Sequence, residues 1–179
     1  MVRAILEGRK TQTRRLVKNP ELFGCFTGDC PHDTQWECDQ SIAAFAQANR
    51  PYGNPGDRLW VKESLMRGAT SGGMHYVEDA SQLRAGERWP WKKNVLPSMF
   101  MPRWASRITL EITDIGVERL QDITENDALA EGCRRQYPYP RGTEGQPNLV
   151  EYAILWDKIN GLGSWDRNPW VWKITFKKL

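Results

Sequence analysis

The sequence predicts a mixed α+β domain built around a small, mostly antiparallel β-sheet or barrel. Three observations lead there. Apolar periodicity marks short elements in the order helix, strands, helix, helix, strand. Long stretches rich in Pro and Gly separate them. The chain of 179 residues, 40% apolar and 26% charged, is long enough for one core and reads as a single domain over 1–179.

Taken in chain order, Val2, Ile5 and Leu6 form a helical stripe that Gly8 stops. Arg9 to Arg15 follow as a dense basic turn. Residues 19–50 predict an irregular insertion, punctuated by Pro20, Gly24, Gly28 and Pro31 without sustained periodicity. Asn54-Pro55-Gly56-Asp57 puts Pro and Gly at the centre of a type II turn. Arg58 to Glu63 then alternates as a strand, with Leu59 and Val61 on one face, and His75 falls in another strand-like run. Residues 84–102 form a long aromatic and basic loop holding Trp89, Trp91, Lys92 and Lys93. Ser106–Thr113 reads as a strand with Ile108, Leu110 and Ile112 on one face. Thr124 opens a short helix as N-cap, with Asp127 at the capping-box position and Gly132 as stop. Residues 134–147 are a second long loop. Leu149, Tyr152, Ala153, Trp156 and Ile159 mark one face of a longer helix ending before Gly161. Trp170 to Lys177 closes the chain as a strand, with Trp170, Trp172, Ile174 and Phe176 on one face.

Composition excludes some classes. No apolar run reaches the roughly 18 residues a membrane span needs. Arg3, Glu7, Arg9 and Lys10 interrupt any leader-like core, so a cytoplasmic protein with no membrane partner is expected. A net charge of +3 points to no partner, and the placement of charge matters more. The nine Trp residues read either as core anchors or as flat faces on which bases stack.

Three clusters carry possible chemistry. In the basic segment, Arg9, Arg14 and Arg15 suit phosphate or carboxylate. Their charge also disfavours the ammonium form of Lys10, making it a candidate base, with Thr13 three residues on. Glu131 ends the short helix, where a carboxylate faces the negative end of the dipole at a cost of about 0.3–1 kcal/mol. A carboxylate that is partly buried there suits giving and taking protons. The third cluster, Cys25, Cys30, His32 and Cys38, is a candidate structural zinc set, although its spacing matches no standard knuckle; unlinked thiols are the other reading.

These residues carry a family resemblance. Gly8-x-Lys10-x4-Arg15, followed by Pro55-Gly56-Asp57-Arg58-Leu59-Trp60-Val61-Lys62-Glu63, resembles the ASCH domain family. The likeness extends through Ser106–Thr113, Asp122–Gly132 and the terminal strand. The Asn168-Pro169-Trp170-Val171-Trp172 ending is similar to that of longer members encoded by phages and prophages. The resemblance implies a PUA-like β-barrel with flanking helices and a cleft suited to RNA or a nucleoside. One branch comprises small amidohydrolases that deacetylate N(4)-acetylcytidine, with Lys and Thr in the register of Lys10 and Thr13 and a Glu corresponding to Glu131. Many other members have Glu where this chain has Thr13. Another branch is linked to ribonuclease activity.

The expectation is therefore an amidohydrolase acting on an N(4)-acylated cytosine nucleoside or related base. Lys10 is the base, Thr13 the nucleophile or water positioner, and Glu131 the acid. Arg15 anchors substrate or orients Glu131, and Trp60 or Trp104 stacks on the base. Arg14, Glu63 and Ser106 complete the candidate substrate-binding set. The chemistry needs no metal cofactor, and zinc at the cysteine cluster is structural only. A non-catalytic RNA-binding or regulatory module and a ribonuclease are the alternatives.

Overall fold

A computed structural model describes residues 1–18, 40–42, 44–45, 48–68, 73–83, 89–133 and 146–179. It is mixed α+β, with a curled, half-barrel antiparallel sheet. Strands β1 (Gln12–Leu16), β2 (Arg58–Trp60), β6 (Thr109–Arg119) and β7 (Trp170–Lys178) form that sheet in the order β1-β7-β6-β2. A second sheet joins β3 (Leu65–Arg67), β4 (Met74–Tyr76) and β5 (Val95–Leu96) in the order β4-β3-β5. Among the described residues, the helices α1 (Val2–Leu6), α2 (Glu125–Ala130) and α3 (Pro147–Asn160) flank the sheets. Among the described residues, no helix is long and apolar enough to cross a membrane.

The closing strand organises the molecule because both of its faces are covered. Trp172 and Ile174 pack with Val17, Ile42, Phe45, Ile112 and Ile115 on one face. Val171 packs on the other, with Leu120, Ile123, Ala128, Cys133, Tyr152 and Trp156 from the α2–α3 layer. Side-chain alternation thus serves two cores at once, which the expectation of a single apolar face missed. Ile5 of α1 joins Ile108, Leu110 and Phe176 in a third cluster.

Strand β6 runs past the expected end at Thr113. The alternation breaks there because the pairing with β7 shifts between Ile112 and Asp114. Such a bulge inserts one unpaired residue, so Ile112 and Ile115 land on the same face despite their odd spacing. The strand expected over Arg58–Glu63 ends at Trp60. The loop expected over 84–102 contains β5 and a 3-10 turn, Ser98–Phe100. Pairing of Leu96 with Leu65 and of Val95 with Met66 makes β5, and no local signal in two residues announces it. Most of the insertion expected over 19–50 lies outside the described residues, as do 134–145. Within the described part of that insertion, residues 40–42, 44–45 and 48 are helical, and Ile42 and Phe45 join the core.

The local signals at α2 act as expected. Thr124 Oγ1 accepts from the Asp127 amide at 3.1 Å, and Asp127 Oδ2 accepts from the Thr124 amide at 3.1 Å. Glu125 then ties α2 to α3: its carboxylate accepts from the Asn148 and Leu149 amides at 3.0 and 2.9 Å, satisfying donors at the α3 N-terminus.

Candidate active site

The segment between α1 and β1 is pinned at three points. Lys10 N donates to Ala4 O at 3.0 Å, Thr11 N to Ala130 O at 2.8 Å, and Phe176 N to Thr11 O at 2.8 Å. Residues 10 and 11 therefore sit between the end of α2 and the end of β7. Gly132 permits this approach. It has φ +91°, and a Cβ there would lie 2.9 Å from Ala4 Cβ and 3.2 Å from Lys10 Cβ.

This packing sets Lys10 against Glu131. Nζ lies 2.5 Å from Glu131 Oε2 and donates to the Glu131 carbonyl at 2.8 Å. The residues are 5% and 8% exposed, so within the basic turn Lys10 forms a buried ion pair. Lys10 resolves the misplaced carboxylate by putting a cation at the helix C-terminus. Burial holds the Lys10 pKa below its ordinary value of 10.5, against the opposing pull of Glu131.

Arg14 completes the buried charge. It is 2% exposed and reaches three carboxylates. Nε donates to Glu118 Oε1 at 2.8 Å, Nη1 lies 3.4 Å from Glu131 Oε1, and Nη2 lies 3.5 Å from Asp127 Oδ2. Lys173 approaches Glu118 and Asp127 at 3.4 and 3.6 Å. The register explains this network. Residues directly opposite in antiparallel strands share a face, and β1 pairs Arg14 with Lys173 while β6 pairs Glu118 with Val171. All four side chains therefore face the α2–α3 layer.

By the same alternation Thr13 and Arg15, opposite Ile174 and Trp172, belong to the other face. Thr13 Oγ1 accepts from Arg15 Nη1 at 3.0 Å, and Arg15 also donates to Arg14 O at 2.9 Å. Because β1 is an edge strand, one cleft still reaches both sets. A hollow of about 900 Å³ is lined by Lys10, Thr13, Arg14, Arg15 and Glu131, and by Tyr152, Leu155, Trp156 and Ile159 of α3.

Among the three candidate catalytic residues, then, Lys10 and Glu131 touch, and Thr13 shares their cleft with its hydroxyl held by Arg15. The wall from α3 was not foreseen as part of a site. Ile159, on the apolar face of that helix, is 63% exposed and lines this hollow. The helical stripe was legible, but what it faces was not. Trp156, whose residue lines the cleft wall, is buried with its indole N–H unpartnered among the described residues. Cys133 also lines the hollow; burial, followed by the charges of Glu151 and Glu131, pushes its thiol up to about 12.

The other candidates do not line this cleft. Glu63 is buried against Arg107, whose Nε and Nη2 donate to its two carboxylate oxygens at 3.0 and 2.8 Å. Arg107 further bonds Asp79 and covers the Tyr76 ring at 3.8 Å, so Glu63 anchors the second sheet. Ser106 Oγ sits 3.0 and 3.1 Å from the Val61 and Ile108 carbonyls, between the residues that follow β2 and those that precede β6. Trp60 lies beneath Lys62 and Arg103, at 5.1 and 5.6 Å from its ring, and Trp104 is an exposed residue on a 3-10 turn. Cys25, Cys30, His32 and Cys38 lie outside the described residues.

No protein-family model, curated protein or solved structure matches the chain.

Proposed function

We propose that this protein is an amidohydrolase that removes the acyl group from an N(4)-acylated cytosine nucleoside or related modified base, on a PUA-like variant of the half-barrel. The observation that carries this reading is the buried Lys10–Glu131 pair, 2.5 Å apart, in a cleft shared with Thr13. Amide hydrolysis needs one group to take a proton from the nucleophile and another to give one to the departing nitrogen. A lysine depressed by burial and a carboxylate in contact with it hold one exchangeable proton between them, and in the Lys10-neutral, Glu131-protonated form they meet both demands.

In this mechanism Lys10 takes a proton from water as its oxygen bonds to the acyl carbon. The C–N bond then breaks as Glu131 protonates the cytosine nitrogen, leaving the carboxylic acid, the free amine and the ion pair as found at rest. Water serves as nucleophile because Arg15 already engages the Thr13 hydroxyl. Thr13, its hydroxyl held by Arg15, positions that water. High-performance liquid chromatography of a panel of acylated cytosine nucleosides tests the reading. Turnover by the protein, lost in Lys10→Ala, is expected; no turnover of any member rejects it.

One observation favours a second reading, an RNA-binding module. Lys62 and Arg103 flank Trp60, and Phe100 and Trp104 stand exposed nearby in sequence. Aromatic faces beside cations suit single-stranded nucleic acid. RNA binding that persists in Lys10→Ala without turnover by the native chain would favour it.

A further inference from the structure

A second hollow, of about 650 Å³, adjoins the Lys10 cleft. Its lining includes Phe45, Arg50, Tyr52 and Trp172, and it shares Leu16, Lys18 and Tyr52 with the first. The two are thus continuous around the outer end of β1. Phe45 and Trp172 form its aromatic floor, with ring centroids 5.9 Å apart.

Two cations, Lys18 at this junction and Arg15 on the side of the first cleft, are in a distinctive state. Arg3, Arg9, Lys10 and Arg14 of the first cleft each pair with a carboxylate. Arg15 and Lys18 are exposed and, among the described residues, have no carboxylate partner. A free nucleoside would use neither these charges nor the second hollow.

We infer that the substrate is a short segment of single-stranded RNA rather than a free nucleoside. The modified cytosine enters the Lys10 cleft, the adjoining phosphodiester lies on Arg15 and Lys18, and the neighbouring base stacks in the hollow at Tyr52. The inference rests on the amidohydrolase reading only in placing a cytosine in the first cleft. Arginine and lysine are the side chains that take phosphate, and aromatic stacking accepts any base. The neighbour's identity is therefore not read.

Binding measured by fluorescence anisotropy and calorimetry separates this from the hydrolase reading. A ribotrinucleotide with central cytidine should bind at least about tenfold more tightly than cytidine. Arg15→Ala with Lys18→Ala should abolish that gain and reduce the salt slope by about 0.7, the value for one phosphate on a single strand. Arg15→Lys should restore part of it, Tyr52→Ala should lose part, and Lys92→Ala, an exposed charge lining neither hollow, should leave it intact. Equal affinity for cytidine and the trinucleotide overturns the inference. If the trinucleotide binds as described and no acylated form is hydrolysed, the inference stands and the hydrolase reading fails. If the acylated nucleoside is hydrolysed as fast as the acylated trinucleotide, the hydrolase reading stands and the inference fails.

Discussion

Lys10 Nζ touches two of the oxygens that Glu131 presents at the end of α2, its side-chain Oε2 at 2.5 Å and its carbonyl at 2.8 Å. Removing one partner of a buried pair strands the other charge, at a cost of about 3–5 kcal/mol. Arg14 remains 3.4 Å from Glu131, so Lys10→Ala should fall at the lower end, about 3 kcal/mol. The basic turn read from the sequence is therefore, at Lys10, part of the folded core. Urea denaturation should show that loss, and a Lys10→Met, Glu131→Leu double variant should recover most of it. Both variants should be inactive.

Activity should depend on the single proton shared by this pair. Its loss on the alkaline side should give kcat/KM a falling limb with midpoint below 10.5, because burial depresses Lys10. A pH profile on any confirmed acylated substrate checks this. A flat profile up to pH 10.5 would remove Lys10 from the chemistry.

Gly132→Ala should damage the site from behind. The left-handed backbone would cost roughly 1–2 kcal/mol for a side-chain-bearing residue. The new methyl would also meet Ala4 Cβ at 2.9 Å, and a core methyl cannot swing aside. Lower stability and a larger proportional loss of turnover are expected, since Lys10 Cβ lies at 3.2 Å on the same side. Melting curves and kinetics on the one variant measure both.

Trp172→Ala should act on the fold first. Trp172 is 3% exposed and packs with Phe45 and Ile174 on the sheet. Truncation should cost about 3–5 kcal/mol. For a domain of this size each kcal/mol lowers Tm by roughly 2–4 °C, so scanning calorimetry should record a drop of about 10 °C.

Cys133 should resist alkylation in the native protein. Its thiol is pushed from 9.0 up to about 12, so little thiolate exists at pH 8, and the side chain is buried. A raised folded pKa means that the stability held by the neutral thiol is complete below pH 9 and is lost as pH rises through 12. Peptide mapping after iodoacetamide at pH 8 should find Cys133 unmodified until denaturant is added. Rapid native labelling would contradict its burial.

Much of this molecule was legible from short-range pattern. Gly8 and Gly132 as helix stops, the Thr124–Asp127 box, and the buried run Ile108, Leu110 and Ile112 all follow from local geometry and side-chain period. Lys10 stood out by its place in a dense cluster of cations and hydroxyls, and Glu131 because an anion at a helix C-terminus breaks a local rule. Their contact spans 121 positions and depends on how α1, β1 and α2 meet, which no local pattern encodes. The same holds for the face of β1: residue type marked Arg14 and Arg15 alike, and only the pairing with β7 turned one toward buried carboxylates and the other toward Thr13. A charged side chain's environment is set by what the chain brings beside it, so composition nominated the residues and packing assigned their partners.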